Sequence, residues 1–349
     1  MLRPSPKALI VSAVGAFLLL AMLFLPREEL LILSGSTMGT QWQVQIGSDG
    51  SVSLYSLAGD IDLLLQRLDR GIFSTWTPDS ELGQLNRAED GKAICVSPDM
   101  LQVLQTALDV YEASDGAFDP SVGPLVDLWG FGPVEVTVSP DAAAIAGARA
   151  RLGAAEIRIN AAAATVVKPA RLQLDLSGIA KGHAVDRVAA LLQELGIGNY
   201  LVEIGGELRV QGRRSDAEPW TIAIERPTPG VRDVQALFDT RGEALALAGS
   251  GDYRNFRIVD GVRQSHEIDP LRGVPVQHGL AAVTVLADSA MAADAWATAL
   301  MVLGPSDGRR IADRLGLSAY FIIHDGEGWQ VETSGRFASY LVDADNSSP

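Results

Sequence analysis

Residues 175–186, DLSGIAKGHAVD, bring together residue types that can bind a phosphate. Asp175 follows a short alternating stretch, and Gly178 and Gly182 lie on either side of Lys181. An Ala-, Val- and Leu-rich run comes next, so the pattern predicts a strand end, a turn of small residues and a helix start. Such a turn can hold a phosphate on its exposed backbone N–H groups. The structural alternative is a solvated lysine beside an ordinary turn.

Further stretches are also rich in Gly, Asp and aromatic residues. They are GAFDPSVGPLVDLWGFG (116–132), SGDYRNF (250–256), SHEIDPLRG (265–273) and DSAMAADAWATALMVLG (288–304). In the last stretch Asp294 and Thr298 are four residues apart, so a helix brings both to one face. Taken singly, such residues have structural explanations: Asp119-Pro120 and Asp269-Pro270 can start turns, and Thr298 can bond to the preceding helical turn.

Composition limits the ligands that this chain can bind. Its 28 basic and 43 acidic residues give a net charge of −15, which repels nucleic acid. Neither GxxxxGK[ST] nor a GxGxxG that opens a helix after a strand is present. A nucleotide would therefore need local neutralisation, most simply by a divalent cation held between carboxylates. With 349 residues, 47% of them hydrophobic, the chain can form one large globular domain.

The N-terminal segment predicts a membrane anchor. Residues 8–25, ALIVSAVGAFLLLAMLFL, carry no charge and follow Arg3 and Lys7. At ~1.5 Å per residue this run is about long enough to span a bilayer. No small-x-small cleavage site follows it, and the only cysteine is Cys95, which excludes an internal disulfide. We expect residues 1–30 to form an uncleaved signal or membrane anchor, with the body outside the cytoplasm.

Hydrophobic periodicity predicts an α+β fold with mixed or antiparallel sheets and flanking helices, because strands outnumber crossover helices late in the chain. Ser80 is predicted to cap a short helix towards Asn86, and residues 30–35 to form a membrane-proximal link. Other predicted helices are 55–70, 98–115, 139–152, 184–195, 289–303 and 306–315. Predicted strands are 37–46, 200–212 with a bulge or close backbone approach at Gly205-Gly206, 220–226, 244–248, 254–259, 280–287 and a hairpin at 319–334. Residues 343–349 are expected to be frayed.

Taken together, eight segments resemble the FAD:protein FMN transferase (ApbE) family. They are MGT (38–40), FSTWTPDSELGQLN (73–86), GAFDPSVGPLVDLWGFG, DLSGIAKGHAVD, VEIGGELRVQG (202–212), SGDYRNF, HEIDPLRG (266–273) and ADAWATAL (293–300). They occur in the family's order over nearly all of residues 36–335, which the resemblance assigns to one flavin transferase domain. It implies an ApbE-like fold of two closely associated lobes, followed by a C-terminal tail at 336–349.

The resemblance implies magnesium-dependent cleavage of FAD, in which FMN is attached to a Thr or Ser hydroxyl of a partner protein and AMP leaves. His266 matches the family's histidine, and a general base near that hydroxyl would assist its attack. Gly178, Asp294 and Thr298 match the family's magnesium ligands, and oxygen donors suit that ion. The positions that match FAD contacts are Met38, Trp76, Ala117, Phe118, Asp119, Asp175, Lys181 and Ile268.

Two positions depart from the family pattern. Trp76 stands where members often carry Tyr, which keeps a stacking face worth about 1 kcal/mol beyond burial but changes the polar group. Ala297 stands where some members have a further Asp, so the magnesium site would depend more on backbone, water and phosphate oxygens. Neither departure counts against activity.

Two other functions fit the same segments. One is an FAD pyrophosphatase that uses water in place of the protein hydroxyl, and the other is a non-catalytic flavin-binding or delivery protein of a respiratory maturation system. The leading prediction is a transferase anchored in the bacterial inner membrane with its catalytic domain in the periplasm. Its acceptors would be redox proteins on the same side, such as subunits of membrane redox complexes.

Overall fold

The computed structural model describes residues 30–47, 54–133, 136, 138–215, 218–228, 230, 233–252, 256–259, 262–326 and 328–342. The predicted anchor run 8–25, residues 253–255 of the SGDYRNF segment and the tail 343–349 lie outside these ranges. None of the helices in the described ranges combines the length and the apolar composition that a bilayer crossing requires.

Seven α-helices occur in the described part of the chain. They are α1 (Leu54–Gln66), α2 (Glu81–Asn86), α3 (Pro98–Ala113), α4 (Gly123–Leu128), α5 (Ala142–Arg149), α6 (Ser177–Glu194) and α7 (Ala290–Leu315). A π-helical segment, Arg67–Phe73, continues α1, and short 3-10 turns form at Ala154–Glu156 and Phe337–Tyr340. The Ser80 hydroxyl accepts a hydrogen bond from Gly83 N, which confirms the predicted cap of α2.

The strands build one large sheet and several small ones. They are β1 (Leu31–Thr37), β2 (Thr40–Ile46), β3 (Ile94–Cys95), β4 (Arg158–Asn160), β5 (Thr165–Val167), β6 (Tyr200–Ile204), β7 (Glu207–Gln211), β8 (Thr221–Glu225), β9 (Val234–Asp239), β10 (Leu245–Gly251), β11 (Phe256–Val259), β12 (Val262–Ser265), β13 (Ile268–Asp269), β14 (Val274–Pro275), β15 (Leu280–Ala287), β16 (Ser318–His324), β17 (Trp329–Ser334) and β18 (Leu341–Val342). The large sheet has the order β1-β2-β6-β7-β10-β15-β16-β17. All its neighbouring strands are antiparallel.

The large sheet is buried on both faces, as β10 illustrates. Leu245 and Leu247 pack in a cluster with Phe238 of the three-stranded sheet β18-β9-β8. Ala246 and Ala248 point the other way, into clusters that contain residues of α6 and α7. Successive side chains of a strand alternate between its faces, so one apolar run serves both layers. The layers are helices, large sheet and small sheet, which confirms the α+β prediction.

Packing extends beyond the predicted ends of the body. Residues 31–37, most of which were predicted as a link, form the edge strand β1 and pair with β2. At the other end, Phe337 and Tyr340 are buried against Phe238, and β18 pairs with β9. Among the described residues, strand pairing therefore reaches from Leu31 to Val342.

Of two local predictions near the site, one was wrong and one was confirmed in part. Helix α6 begins at Ser177 rather than at 184, and the alternating stretch before it is no strand, because Gln173 makes only an isolated bridge to Val122. At Gly205 and Gly206, where a bulge or a close backbone approach was predicted, the chain forms the turn of the β6–β7 hairpin, and the close approach is present because a Cβ on Gly205 would lie 2.8 Å from Thr40 Cγ2. Their φ angles of 65° and 113° are accessible to glycine, which explains the pair.

Helix α7 bends at Gly304. This residue has φ 76° and ψ −175°, and Pro305 follows it without an N–H to donate. The two helices predicted at 289–303 and 306–315 are therefore the two halves of one bent element. Only the first half reaches the candidate site described below.

Candidate active site

One cleft of about 1470 Å³ contains all the predicted site residues. Segments far apart in the chain form it, including the β1–β2 turn, the π-helical segment, the start of α6, the β6–β7 turn and α7. The predicted residues in its lining are Met38, Trp76, Ala117, Phe118, Asp119, Asp175, Gly178, Lys181, His266, Ile268, Asp294 and Thr298. The fold thus brings together residues that the sequence leaves widely separated.

Two glycines at the start of α6 allow α7 to approach closely. A Cβ on Gly178 would lie 2.9 Å from Thr298 Oγ1, and a Cβ on Gly182 would lie 2.2 Å from the carbonyl oxygen of Ala290. The Gly182 N–H donates to Asp294 Oδ2 at 2.9 Å. The glycines that flank the lysine are therefore required by helix packing, not by a turn.

The start of α7 is fixed to α6 by a carboxylate. Asp186 of α6 accepts hydrogen bonds from Ala290 N at 3.0 Å and Met291 N at 2.9 Å. Ser289 caps the same helix by accepting from Ala292 N at 3.1 Å. These bonds satisfy N–H groups that have no partner within the helix, and they hold the next turns of α7 in the cleft.

Asp294 and Thr298 occupy consecutive turns of α7, and both line the cleft, as their spacing predicts. Asp294 is only 3% exposed. Among the described residues, no group of three or more His, Cys, Asp or Glu is arranged to hold a metal ion. A cation at this point would therefore use hydroxyl and backbone oxygens in addition to a carboxylate.

Lys181 lies among acidic groups at the floor of the cleft. Its Nζ is 3.3 Å from Glu207 Oε1 and 3.9 Å from Asp294 Oδ1. Burial alone would lower the pKa of Lys181, but Asp294 and Glu207 raise it above its ordinary value. Burial in turn raises the pKa of both carboxyl groups, although Lys181 opposes this effect. Two buried carboxyl groups thus share a single ammonium.

His266 directly follows β12 and is partly exposed, with 32% of its side chain accessible. Its Nε2 is 3.6 Å from Glu267 Oε1, and the Phe131 ring meets the imidazole edge-on with centroids 6.4 Å apart. Burial raises the pKa of Glu267, against the opposing effect of His266. The Asp269 carboxylate accepts hydrogen bonds within its own turn, from Leu271 N and Arg272 N. Glu267 is therefore the acidic neighbour that can influence the histidine.

The tip of the β1–β2 hairpin forms one wall of the cleft. Met38 has φ 47°, in the left-handed region, and its N–H donates to Asp69 Oδ2 at 3.2 Å. Asp69 belongs to the π-helical segment, so this bond ties the tip to a second wall. Trp76, just beyond that segment, is 68% exposed and leaves its ring open at the cleft.

The GAFDPSVG stretch supplies a buried wall. Phe118 is 5% exposed, and its N–H donates to Ser114 Oγ at 3.1 Å. Asp119 Oδ1 accepts from both the N–H and the hydroxyl of Ser121, at 2.7 and 2.6 Å. Burial raises the pKa of Asp119 despite these bonds. Ala117 and Ile268 are also buried.

Glu207 and Asp69 line the cleft but were missed by the sequence prediction. The signal for Glu207 was weak: an acidic residue directly follows the Gly205-Gly206 pair, but Arg209 and Gln211 continue the same polar register. Asp69 gave none, because its contact with Met38 joins two elements that are distant in the chain.

The sequence profile of the ApbE family matches residues 38–321. The chain belongs to the ApbE family. A similar protein, the FAD:protein FMN transferase of Klebsiella pneumoniae (strain 342), is 39% identical over 325 residues, 92% of each chain. The FAD:protein FMN transferase of Vibrio cholerae serotype O1 is 40% identical over 331 residues, 94% of this chain and 98% of the relative.

Solved ApbE structures share the fold. The flavin transferase ApbE from Vibrio cholerae superposes with a TM-score of 0.82 at 39% identity, covering 90% of this chain and 100% of that one. The Pseudomonas stutzeri flavinyl transferase ApbE, apo form, gives 0.80 at 36% identity, covering 90% and 97%. The predictions of the ApbE family, of its fold and of an enzyme of the transferase class are confirmed.

Proposed function

We propose that this ApbE protein transfers the FMN part of FAD to a Thr or Ser hydroxyl of a partner protein and releases AMP, with Mg²⁺ as cofactor. The observation that carries the proposal is the meeting of all the predicted residues in one cleft. Its volume of about 1470 Å³ exceeds the roughly 300–1,000 Å³ of most small-molecule pockets. A dinucleotide and an acceptor side chain together need such space.

His266 is proposed as the general base. Its side chain is partly exposed, so an acceptor hydroxyl can reach the imidazole and give up its proton as the oxygen attacks phosphorus. Glu267, whose Oε1 is 3.6 Å from the ring, favours the imidazolium that results.

Asp294, Thr298 and Gly178 are proposed to hold the Mg²⁺. Their donors are oxygens, the type that this ion prefers, and a Cβ at 178 would fill the space beside the Thr298 hydroxyl. Two buried carboxyl groups share the single Lys181 ammonium, so a second cation would have a carboxylate to pair with. When bound, Mg²⁺ would neutralise charge on the two phosphates as AMP leaves.

The remaining residues are proposed to bind FAD. The start of α6 offers the positive end of an 18-residue helix to a phosphate, and Lys181 adds a full charge. Trp76 has an exposed face on which a flat ring can stack. Both interactions orient the dinucleotide so that the bond between its phosphates can lie near His266.

A labelling experiment tests the proposal. The protein is incubated with FAD, Mg²⁺ and an acceptor domain that carries a Thr or Ser site, and the acceptor is analysed by mass spectrometry. We expect the acceptor to gain one FMN, bound as a phosphoester, and AMP to appear in equal amount. An acceptor whose Thr or Ser is replaced by Ala is the control and should gain nothing.

Other outcomes would identify the competing functions. Free FMN and AMP without a mass gain on the acceptor would mean hydrolysis, because water would then have taken the place of the hydroxyl. Tight FAD binding without any cleavage would mean a binding or delivery protein. Either result would overturn the transferase proposal.

We also propose that residues 1–30 anchor the protein in the bacterial inner membrane, with the catalytic domain in the periplasm. The support is the uncharged run 8–25 and the basic residues before it. Its acceptors would then be redox proteins on the same side. Fractionation of cells, with protease access to the body, tests both the attachment and the side.

A further inference from the structure

Glu207 is a buried carboxylate with a single strong partner. It is 3% exposed, and its Oε1 is 3.3 Å from Lys181 Nζ. The other oxygen, Oε2, is buried and has no hydrogen-bond partner among the described residues. A carboxylate in this environment is stabilised chiefly by its ion pair, so the positions of Glu207 and Lys181 depend on each other.

The same ammonium faces Asp294. Asp294 Oδ2 accepts from Gly182 N at 2.9 Å, whereas Oδ1 lies 3.9 Å from Lys181 Nζ. Oδ1 is therefore the oxygen on which a cation and the ammonium would compete. If the ammonium moved onto it, the cation would lose both a ligand and electrostatic attraction.

The backbone that carries Glu207 is firmly held. Gly206 N donates to Glu203 Oε1 at 2.7 Å, and a Cβ on Gly205 would lie 2.8 Å from Thr40 Cγ2. The hairpin turn thus packs against β2 and cannot follow the lysine. Lys181, in contrast, has a long flexible side chain on α6.

We propose that Glu207 is a positioning residue that draws the Lys181 ammonium away from Asp294 and so keeps Asp294 free to bind the divalent cation. The inference rests on the proposed function, because it takes Asp294 as a cation ligand. The shorter distance to Glu207 than to Asp294 is its geometric basis.

The test measures cation binding without FAD. Mg²⁺ affinity is determined by calorimetry and Mn²⁺ affinity by electron paramagnetic resonance, for the full chain and for Glu207→Gln and Glu207→Asp. We expect both variants to weaken binding by about tenfold, a common size for coupling between sites. Asp keeps the charge but is one methylene shorter, so its loss would show that position matters. Wild-type affinity in Glu207→Asp would overturn the inference.

A double-mutant cycle with Lys181→Met identifies the route of the effect. If Glu207 acts through the lysine, Glu207→Gln should change cation affinity by less than about twofold once Lys181 is Met. If Glu207 is itself a ligand or merely adds charge, the full loss will persist in the Met background. That persistence would also overturn the inference.

Controls separate this inference from the cation site itself. Glu203→Gln removes the same charge from the same hairpin and should stay within about twofold of wild type. Melting temperatures of all variants verify folding. If the wild type binds neither ion, the proposed cation site is wrong. If the wild type binds, Asp294→Asn abolishes binding and both Glu207 variants behave as wild type, only the role of Glu207 is wrong.

Discussion

Helix α6 contributes to two charged clusters of opposite balance. In the first, the Asp99 cluster, one carboxylate contacts Arg67 at 2.8 Å, His183 at 3.0 Å and Arg187 at 3.2 Å. The hydrogen bond with His183, followed by Arg67 and Arg187, lowers the pKa of Asp99 to about 2 despite its burial. The buried carboxylate there thus has three partners, two of them permanent cations.

The second, the Lys181 cluster, consists of Lys181, Glu207, Asp294 and Glu267. One ammonium faces several buried carboxyl groups, and burial raises the pKa of each of them. A structural cluster is expected to compensate its buried carboxylate, as Arg67, His183 and Arg187 do for Asp99, because an unpaired buried charge destabilises the fold. An incomplete network beside a cleft is typical of a binding site whose missing charge arrives with its ligands.

The largest effect is expected at His266, and it tests whether residues beside the Lys181 cluster take part in the transfer reaction. His266→Ala should lower the transfer rate by about 10²–10⁴-fold, the usual range for a general base. FAD affinity and melting temperature should stay close to wild type, since the imidazole is partly exposed. Single-turnover transfer and flavin binding are measured on the same variant. Weak FAD binding with normal transfer at saturating FAD would assign His266 a purely structural role.

Asp294→Asn tests the incomplete cluster itself. Asn keeps an acceptor for Gly182 N but removes the charge, so turnover should fall by roughly 10²–10³-fold, as when one group that stabilises transition-state charge is lost. The stability of the free protein should be unchanged or higher, because a poorly compensated buried charge is removed. Activity as a function of Mg²⁺ and urea unfolding are measured together. Wild-type rates at ordinary Mg²⁺ would contradict the assignment.

Asp99→Asn should give the opposite result. Stability should fall by about 1.5–3 kcal/mol, the range for a hydrogen bond to a charged group, because the half-exposed Arg67 and Arg187 stay solvated when the carboxylate is lost. FAD and cation affinities of the folded protein should change little, since Asp99 does not line the cleft. Urea unfolding measures the loss. A stable variant with impaired FAD binding would erase the distinction between the clusters.

The pH dependence of stability gives the smallest effect. The pKa of Asp99 lies below its ordinary value of 3.8, so its contribution is complete above that value and is lost as pH falls towards 2. A shift of this size corresponds to about 2 kcal/mol. The free energy of unfolding should therefore fall more steeply between pH 5 and pH 2 in the wild type than in Asp99→Asn. The same pH dependence in both proteins would mean that the folded state does not stabilise the ionised form of Asp99.

Local geometry made part of the site predictable. The four-residue spacing of Asp294 and Thr298 fixes their common face once α7 is recognised, and the Ser80 cap follows from residue type alone. Family resemblance added the grouping of the remaining residues. Its pattern could identify them before any contact between distant segments was known.

Contacts between distant elements were not predictable. Glu207 meets Lys181 only because the β6–β7 hairpin ends beside α6, and no periodicity reports that meeting. The π-helical segment after α1 was equally hidden, since its wider hydrogen-bond pattern has no distinct sequence signature. It places Arg67 in the Asp99 cluster and Asp69 in the cleft. Edge strand β1 was missed because its residues are mostly half-exposed and include Ser and Gly.

The glycine contacts between α6 and α7 have a consequence for how this enzyme can be altered. At Gly178 the backbone of α6 contacts the Thr298 side chain, and at Gly182 it contacts the Ala290 carbonyl and Asp294 Cβ. No α6 side chain lies between the helices at these two positions. A larger residue at either position would displace Asp294 and Thr298 together rather than one at a time. The ion preference of the proposed cation site is thus difficult to change by substitution at the crossing. Directed evolution of a variant for another metal would have to work through residues that line the cleft away from this crossing.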